Sequence, residues 1–175
     1  MRDTTYFNQG SMSLWKGCGA TIQSGNLDPA TLIPQFVAKN KVAQAVAGGM
    51  IVMVLHQVHG DGDGPFVCGI DTAGTGLKGS WSKLSIFTQV PGQSPAENNR
   101  VAWPWPLVVK LPEDLTCSGV YGTKENICLI RCQNYATTAP FGGCVPFELV
   151  PSFDGTSGQY PIRGGSLMRQ QSGNY

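Results

Sequence analysis

The feature that most limits how this chain can fold is its punctuation. From Met50 onward each apolar run soon meets a cluster of Gly, Pro, Asn or Ser. The separators read GDGDGP, DTAGTGLKGS, PGQSPAENNR, SGVYGTKEN and ATTAPFGG. Long amphipathic helices need uninterrupted apolar spacing, and these breaks leave room for short strands and turns instead. The runs between them predict strands at MIVMVLHQV, PFVCGID, Leu84–Val90, Leu107–Leu111, Ile127–Gln133 and Val145–Val150. MIVMVLHQV is apolar on both parities, which predicts a central strand buried on both faces. Upstream, Asp28 and Pro29 make an N-cap and first-turn pair, and Pro34 interrupts the helical pattern beyond them, so one short or broken helix is expected within 29–40. The fold class that results is mainly β: a disulfide-stabilised antiparallel β-sandwich with one short helix. Residues 1–150 make a single domain, and 151–175 form an irregular tail with no periodicity.

Charged residues are 13% of the chain, about half the usual share, and the formal net charge is +1. Nothing in that balance argues for capture of nucleic acid or of an anionic membrane. The longest apolar run, Met50 to Leu55, is too short to cross a bilayer. The polar run RDTTYFNQGS behind Met1 has no apolar core of a signal peptide, so a secreted chain is expected to be a mature form or a fragment.

Six cysteines, at Cys18, Cys68, Cys117, Cys128, Cys132 and Cys144, are an even set in a Gly-rich chain. They read as three disulfides and an oxidising, extracellular location. Cys128 and Cys132 lie on one predicted strand, roughly 13 Å apart, beyond the reach of a mutual bridge. Cys117–Cys128 suits a hairpin, Cys132–Cys144 would close the TTAPFGG loop, and Cys18 would then tie the N-terminal segment to Cys68.

Candidate chemistry gathers at LHQVHGDGDGPFVCGID, which holds both histidines. Metal ligation would draw on His56, His59 and Asp61. A three-residue spacing sends His56 and His59 to opposite faces of an extended strand, so joint ligation needs a bend at His59–Gly60. An EF-hand frame from Asp61 fails, with Pro65 at position five and Thr72 at position twelve. There is no G-x-S-x-G, and the sequence cannot set two of Asp61, Asp63, Asp71, Glu113 and Asp114 across a cleft. Trp103 and Trp105 in VAWPWPLVV share a parity and are stiffened by Pro104 and Pro106, which suits either a platform for sugar rings or core packing.

The ordered blocks LHQVHGDGDGPFVCGID, IFTQVPG, LTCSG, NICLIRCQN and APFGGCVPFEL resemble the fungal appressorium-specific virulence factors. These are the Gas/Mas proteins of rice blast and the Egh-like proteins of powdery mildew. The resemblance runs from about Arg2 to Leu149. It implies a secreted fungal protein made during host penetration, and brings no accepted biochemical activity with it. Members of the family carry a longer N-terminal part, often opening on His-Gly, which is similar to the copper-binding brace of lytic polysaccharide monooxygenases. In this chain the second brace histidine would be His56, and His59 stands where the family pattern has Asn. The resemblance thus favours a non-catalytic binder of polysaccharide or host material with no cofactor, on an immunoglobulin-like or lytic-monooxygenase-like sandwich. The alternatives are a copper-dependent polysaccharide oxidase whose N-terminal His is missing from this chain, and a self-assembling structural surface protein, the last suggested by the low charge and by a tail expected to be ordered.

Overall fold

The computed structural model describes residues 4–7, 17–58, 60–77, 79–92, 103–136 and 139–152. The tail expected from 151 on lies outside these, apart from Pro151 and Ser152. Within the described residues ten strands and one α-helix succeed one another in chain order: β1 (Ala20–Thr21), β2 (Gly25–Asn26), α1 (Pro29–Ala38), β3 (Ala43–Ala45), β4 (Met50–Gln57), β5 (Phe66–Asp71), β6 (Trp81–Thr88), β7 (Trp103–Lys110), β8 (Gly119–Tyr121), β9 (Lys124–Asn134) and β10 (Gly142–Leu149). All six strands expected from the sequence are present. The helix runs through Pro34 unbroken, and Asp28 binds its first turn by accepting from the Thr31 hydroxyl at 2.9 Å.

One sheet dominates, in the order β3-β10-β9-β5-β6-β7-β4, with β8 paired to β9. Every pairing along it is antiparallel except β10 with β3, which is parallel. The two ends of this sheet, β3 and β4, are consecutive in the chain and joined only by Val46–Gly49. Five residue steps span at most about 18 Å, so the sheet must curl until its ends approach each other. The connection is held by the end of β7, where Gly48 N–H donates to Pro112 O at 2.8 Å and Leu111 N–H to Gly49 O at 2.9 Å. Strand β6 turns the corner: Trp81–Leu84 pair with β5, and Ser85–Thr88 pair with β7 through a bulge. The architecture is therefore mainly β and disulfide-bonded, as expected, but a nearly closed, barrel-like mixed sheet. Two separate antiparallel sheets packed face to face are not what these pairings form.

Strand β9 is the axis of the packing. Ile127, Cys128, Leu129 and Ile130 are all buried. Cys128 and Ile130 face the barrel interior with Phe66, Cys68, Leu107, Val109 and Phe147. Ile127 and Leu129 face outward and are covered by Ile33 of α1, with Leu27, Val37 and Tyr121. The role expected for MIVMVLHQV belongs to β9. Strand β4 lies at the sheet end instead, with Ile51 buried but Met50, Val52, Val54 and His56 exposed. An apolar run records affinity for a strand, not the number of neighbours the strand receives.

The disulfides are Cys18–Cys144, Cys68–Cys132 and Cys117–Cys128. The hairpin bridge matches expectation; the other two exchange partners. Register explains why. Cys68 stands opposite Cys132 on β5 and β9, with Cα atoms 4.1 Å apart. Cys144 stands opposite Arg131, so its side chain takes the other face of the sheet from that of Cys132. There it meets Cys18 and the N-terminal segment, whose buried Phe7 lies 4.2 Å beneath the Arg131 guanidinium. Burial pulls the Arg131 pKa below its ordinary value.

A polar clasp joins β3, β10 and β9. Glu148 accepts from Lys124 Nζ at 2.6 Å and from Gln44 Nε2 at 2.8 Å. Burial raises the Glu148 pKa, but these two hydrogen bonds and the Lys124 charge outweigh it, so the net shift is downward from 4.5. A depressed carboxylate pKa adds stability above the unfolded value and loses it as pH falls through the folded one. Chemical denaturation is therefore expected to lose stability on acidification below about pH 4.5. Glu148→Gln is expected to flatten part of that loss. In the same assay, replacing Cys68 and Cys132 by Ser should cost roughly 1.5 kcal/mol more than replacing Cys117 and Cys128, because chain entropy scales with the loop opened. Those sequence separations are 64 and 11 residues.

Candidate functional site

Among the described residues no pairing joins β4 to β10, so the barrel closes incompletely, and a concavity lies along the opening. Strand β3 covers only Phe147–Leu149 of β10. Upstream, β10 meets the N-terminal segment, where Tyr6 bridges Phe141 and Ala20 and Gly142 N–H donates to Thr5 O at 3.4 Å. Facing this edge is the outer edge of β4. Between them lies a cleft of about 340 Å³. Met53–His56 and Val58 form one wall, Phe141–Val145 the other, Thr4 and Thr5 one end, and Phe66, Leu107 and Cys132 reach it from the core. That volume is at the lower end of the range for small-ligand sites, and the lining is mostly apolar.

His56 is exposed and lines this cleft. His59 lies outside the described residues. Asp61 is half-buried in a 3₁₀ turn, Gly60–Gly62, whose Gly62 also lines the cleft. Among the described residues no group of three or more His, Cys, Asp and Glu is placed to hold a metal ion. The acidic turn is fixed from elsewhere. Asn134 at the end of β9 donates from Nδ2 to Asp61 O at 2.6 Å and Asp63 O at 2.9 Å. Its Oδ1 accepts from Phe141 N–H at 2.8 Å and Ala136 N–H at 3.3 Å. One buried amide thus joins the His56 side of the cleft to the Phe141 side. Sequence reasoning passed over Asn134, whose only signal is a polar residue closing an apolar strand.

Asp71 is equally committed to structure. Its carboxylate accepts from Ala73 N–H, Thr75 Oγ1 and Gly76 N–H, which shapes the turn after β5. Glu113 and Asp114 are exposed beyond the end of β7, Glu113 with Lys110 at 3.2 Å.

Trp105 packs against the barrel core, and its indole N–H donates to Oε1 of the buried Gln57 at 2.9 Å. Trp103 opens β7, and its side chain lies outside the described part. Outward-facing positions next to these are apolar across three strands. Val52 and Val54 are 68% and 67% exposed, and stand opposite Val108 and Pro106. Phe87, 69% exposed, occupies the β6 bulge beside Val108 and Val109. Together they give the sheet an exposed apolar outer face.

The Egh16-like virulence factor family model matches residues 1–142, most of the chain and nearly all of the described barrel. The chain belongs to the Egh16-like virulence factor family. It is 32% identical to the appressoria-specific virulence factor GAS1 of Pyricularia oryzae over 136 residues, covering 77% of this chain and 53% of GAS1. It is 40% identical to GAS2 of the same fungus over 106 residues, covering 59% of this chain and 37% of GAS2. The chain thus spans about half the length or less of these curated relatives. No solved structure matches it significantly. The Egh16-like match includes β4, the acidic turn and Asn134, and stops at the first residue of β10, so one wall of the cleft lies mostly beyond it.

Asn134→Ala removes a side chain that makes four hydrogen bonds in a buried place. The expected loss is at least about 2 kcal/mol in urea denaturation. Amide exchange should speed up at Gly62 and Phe141 before it does in the core of β9.

Proposed function

We propose that this Egh16-like chain is a secreted protein that works at the fungal surface or host interface by binding polysaccharide or host material, without catalysis. Three disulfides support the extracellular location, because such bridges form and persist chiefly in oxidising compartments. The observation that carries the binding reading is the exposed apolar outer face of β4, β7 and the β6 bulge. Monomeric soluble proteins rarely leave a large contiguous apolar patch without a use for it. Sugar rings in an extended glycan offer C–H faces that pack on apolar side chains, and the remaining hydroxyls stay in water. The exposed Pro104 and Pro106, opposite His56 and Val54, continue this face along β7.

The test is retention of the full chain on insoluble chitin, β-glucan and cellulose. The expected result is retention on at least one, weakened roughly tenfold by Val52→Asp with Phe87→Asp. Trp105→Ala is expected to lower thermal stability, because its indole reaches into the core. A chain that passes freely over all three polymers sinks the reading.

Self-association is the second reading, and the same apolar edge strand favours it. A solution mass that stays monomeric at high concentration would reject it. The copper-oxidase reading draws on His56 together with an N-terminal His, and isothermal titration with Cu(II) separates it: no tight site in a chain with the authentic N-terminus would sink it.

A further inference from the structure

We propose that the open seam of the barrel is a strand-accepting site, which takes a short, extended, uncharged peptide segment of a partner protein. This site adjoins the outer apolar face and shares Val54 with it. The argument begins with ladder parity. In an antiparallel pair the N–H and C=O of a residue face the same neighbour, and successive residues alternate. Asn134 N–H donates to Phe141 O, so Phe141, Gly143, Val145 and Phe147 face β9. Cys144 therefore turns both its N–H and C=O into the seam, and Pro146 turns its carbonyl there. Proline is tolerated on a strand where its missing N–H falls on an unpaired edge. On the other wall, Leu111 N–H donates to Gly49 O, so Ile51, Met53 and Leu55 face β7. Val52 and Val54 then turn their backbone groups away from β7, toward the seam. Among the described residues no ladder joins β4 to β10.

The fold itself demonstrates that this lane takes a strand. β3 occupies it beside Phe147–Leu149, where Val150 N–H donates to Ala45 O at 2.8 Å. Thr5 and Tyr6 hold the far end. Between these lie Gly143–Pro146 of β10, room for about four extended residues.

The lining sets the chemistry of the guest. His56 is the one titratable side chain among the described residues of the cleft, since its cysteines are in disulfides. A neutral segment therefore fits, and a charged one would be desolvated without a partner. A Cβ built on Gly143 meets nothing within 4 Å, whereas one on the adjacent Gly142 would lie 1.9 Å from Cys132 O. The space beside Gly143 suits one small apolar guest side chain, pointing toward Phe66 and Leu107. The next guest residue would point to solvent and be polar. Alternating N–H and C=O groups on both guest edges are what the two walls can pair with. A glycan does not carry that alternation, and this is why peptide is favoured here.

The test uses the full chain, labelled for NMR, and acetyl-Thr-Val-Thr-Val-Thr-amide as the probe. The expected result is saturable binding at or below about 1 mM, with slowed amide exchange at Val54 and Cys144. The same peptide N-methylated at both valines should bind at least tenfold more weakly. Gly143→Leu should fill the seam and abolish binding, at an unchanged or raised melting temperature. Absent binding of the parent peptide, equal binding of the methylated one, or unaltered binding by a folded Gly143→Leu chain would each overturn the proposal. So would cellohexaose that displaces the peptide and protects the same amides, because the seam would then be a glycan site. The methylation arm decides the matter even if the Gly143 variant does not fold.

Discussion

The constraint on which the rest depends is the short link from β3 to β4. Two strands at opposite ends of a seven-strand path are joined by Val46–Gly49 alone. A flat sheet cannot satisfy this, so the sheet curls, with β6 passing from one set of partners to the other at its middle. Curling encloses one core, and its incomplete closure leaves the cleft. The same link places β4 at an end of the sheet, where its outer face stays exposed. Core, cleft and apolar face all arise from one geometrical requirement.

The cross-links reinforce this arrangement where closure is weakest. Cys68–Cys132 joins two adjacent strands inside the barrel, and Cys18–Cys144 fastens the N-terminal segment to β10 beside the open seam. The Glu148 clasp holds β3 against the same strand from the other end. Asn134 ties the acidic turn to Phe141 across the floor. The β10 side of the opening is thus fastened at both ends. A fastened edge is an organised one, and organisation lowers the entropy that a guest would otherwise have to offset on binding.

Membership of the Egh16-like family supplies a biological setting and leaves the chemistry to be read from the molecule. Of the histidine pair that draws the eye in the sequence, His59 lies outside the described residues. His56 lines a neutral, mostly apolar cleft. The carboxylates Asp71 and Glu148 are engaged in structural hydrogen bonds.

The sequence by itself determined the class of element, the six main strands, the helix start at Asp28–Pro29 and the hairpin bridge Cys117–Cys128. These are local matters of side-chain propensity, turn chemistry and loop length. It could not rank MIVMVLHQV against NICLIRCQN. The first looks more buried, yet β9 lies at the centre and β4 at an end, because burial depends on how many neighbours a strand receives. Nor could it pair Cys68 with Cys132, or send Cys144 to the opposite face, since strand register is a property of the assembled sheet. Asn134 was silent for the same reason: its four partners come from two separate loops that only the closed fold brings together. The tertiary structure alone decided where the barrel stays open, because that gap exists between strand edges that are distant in sequence and meet only when the sheet curls.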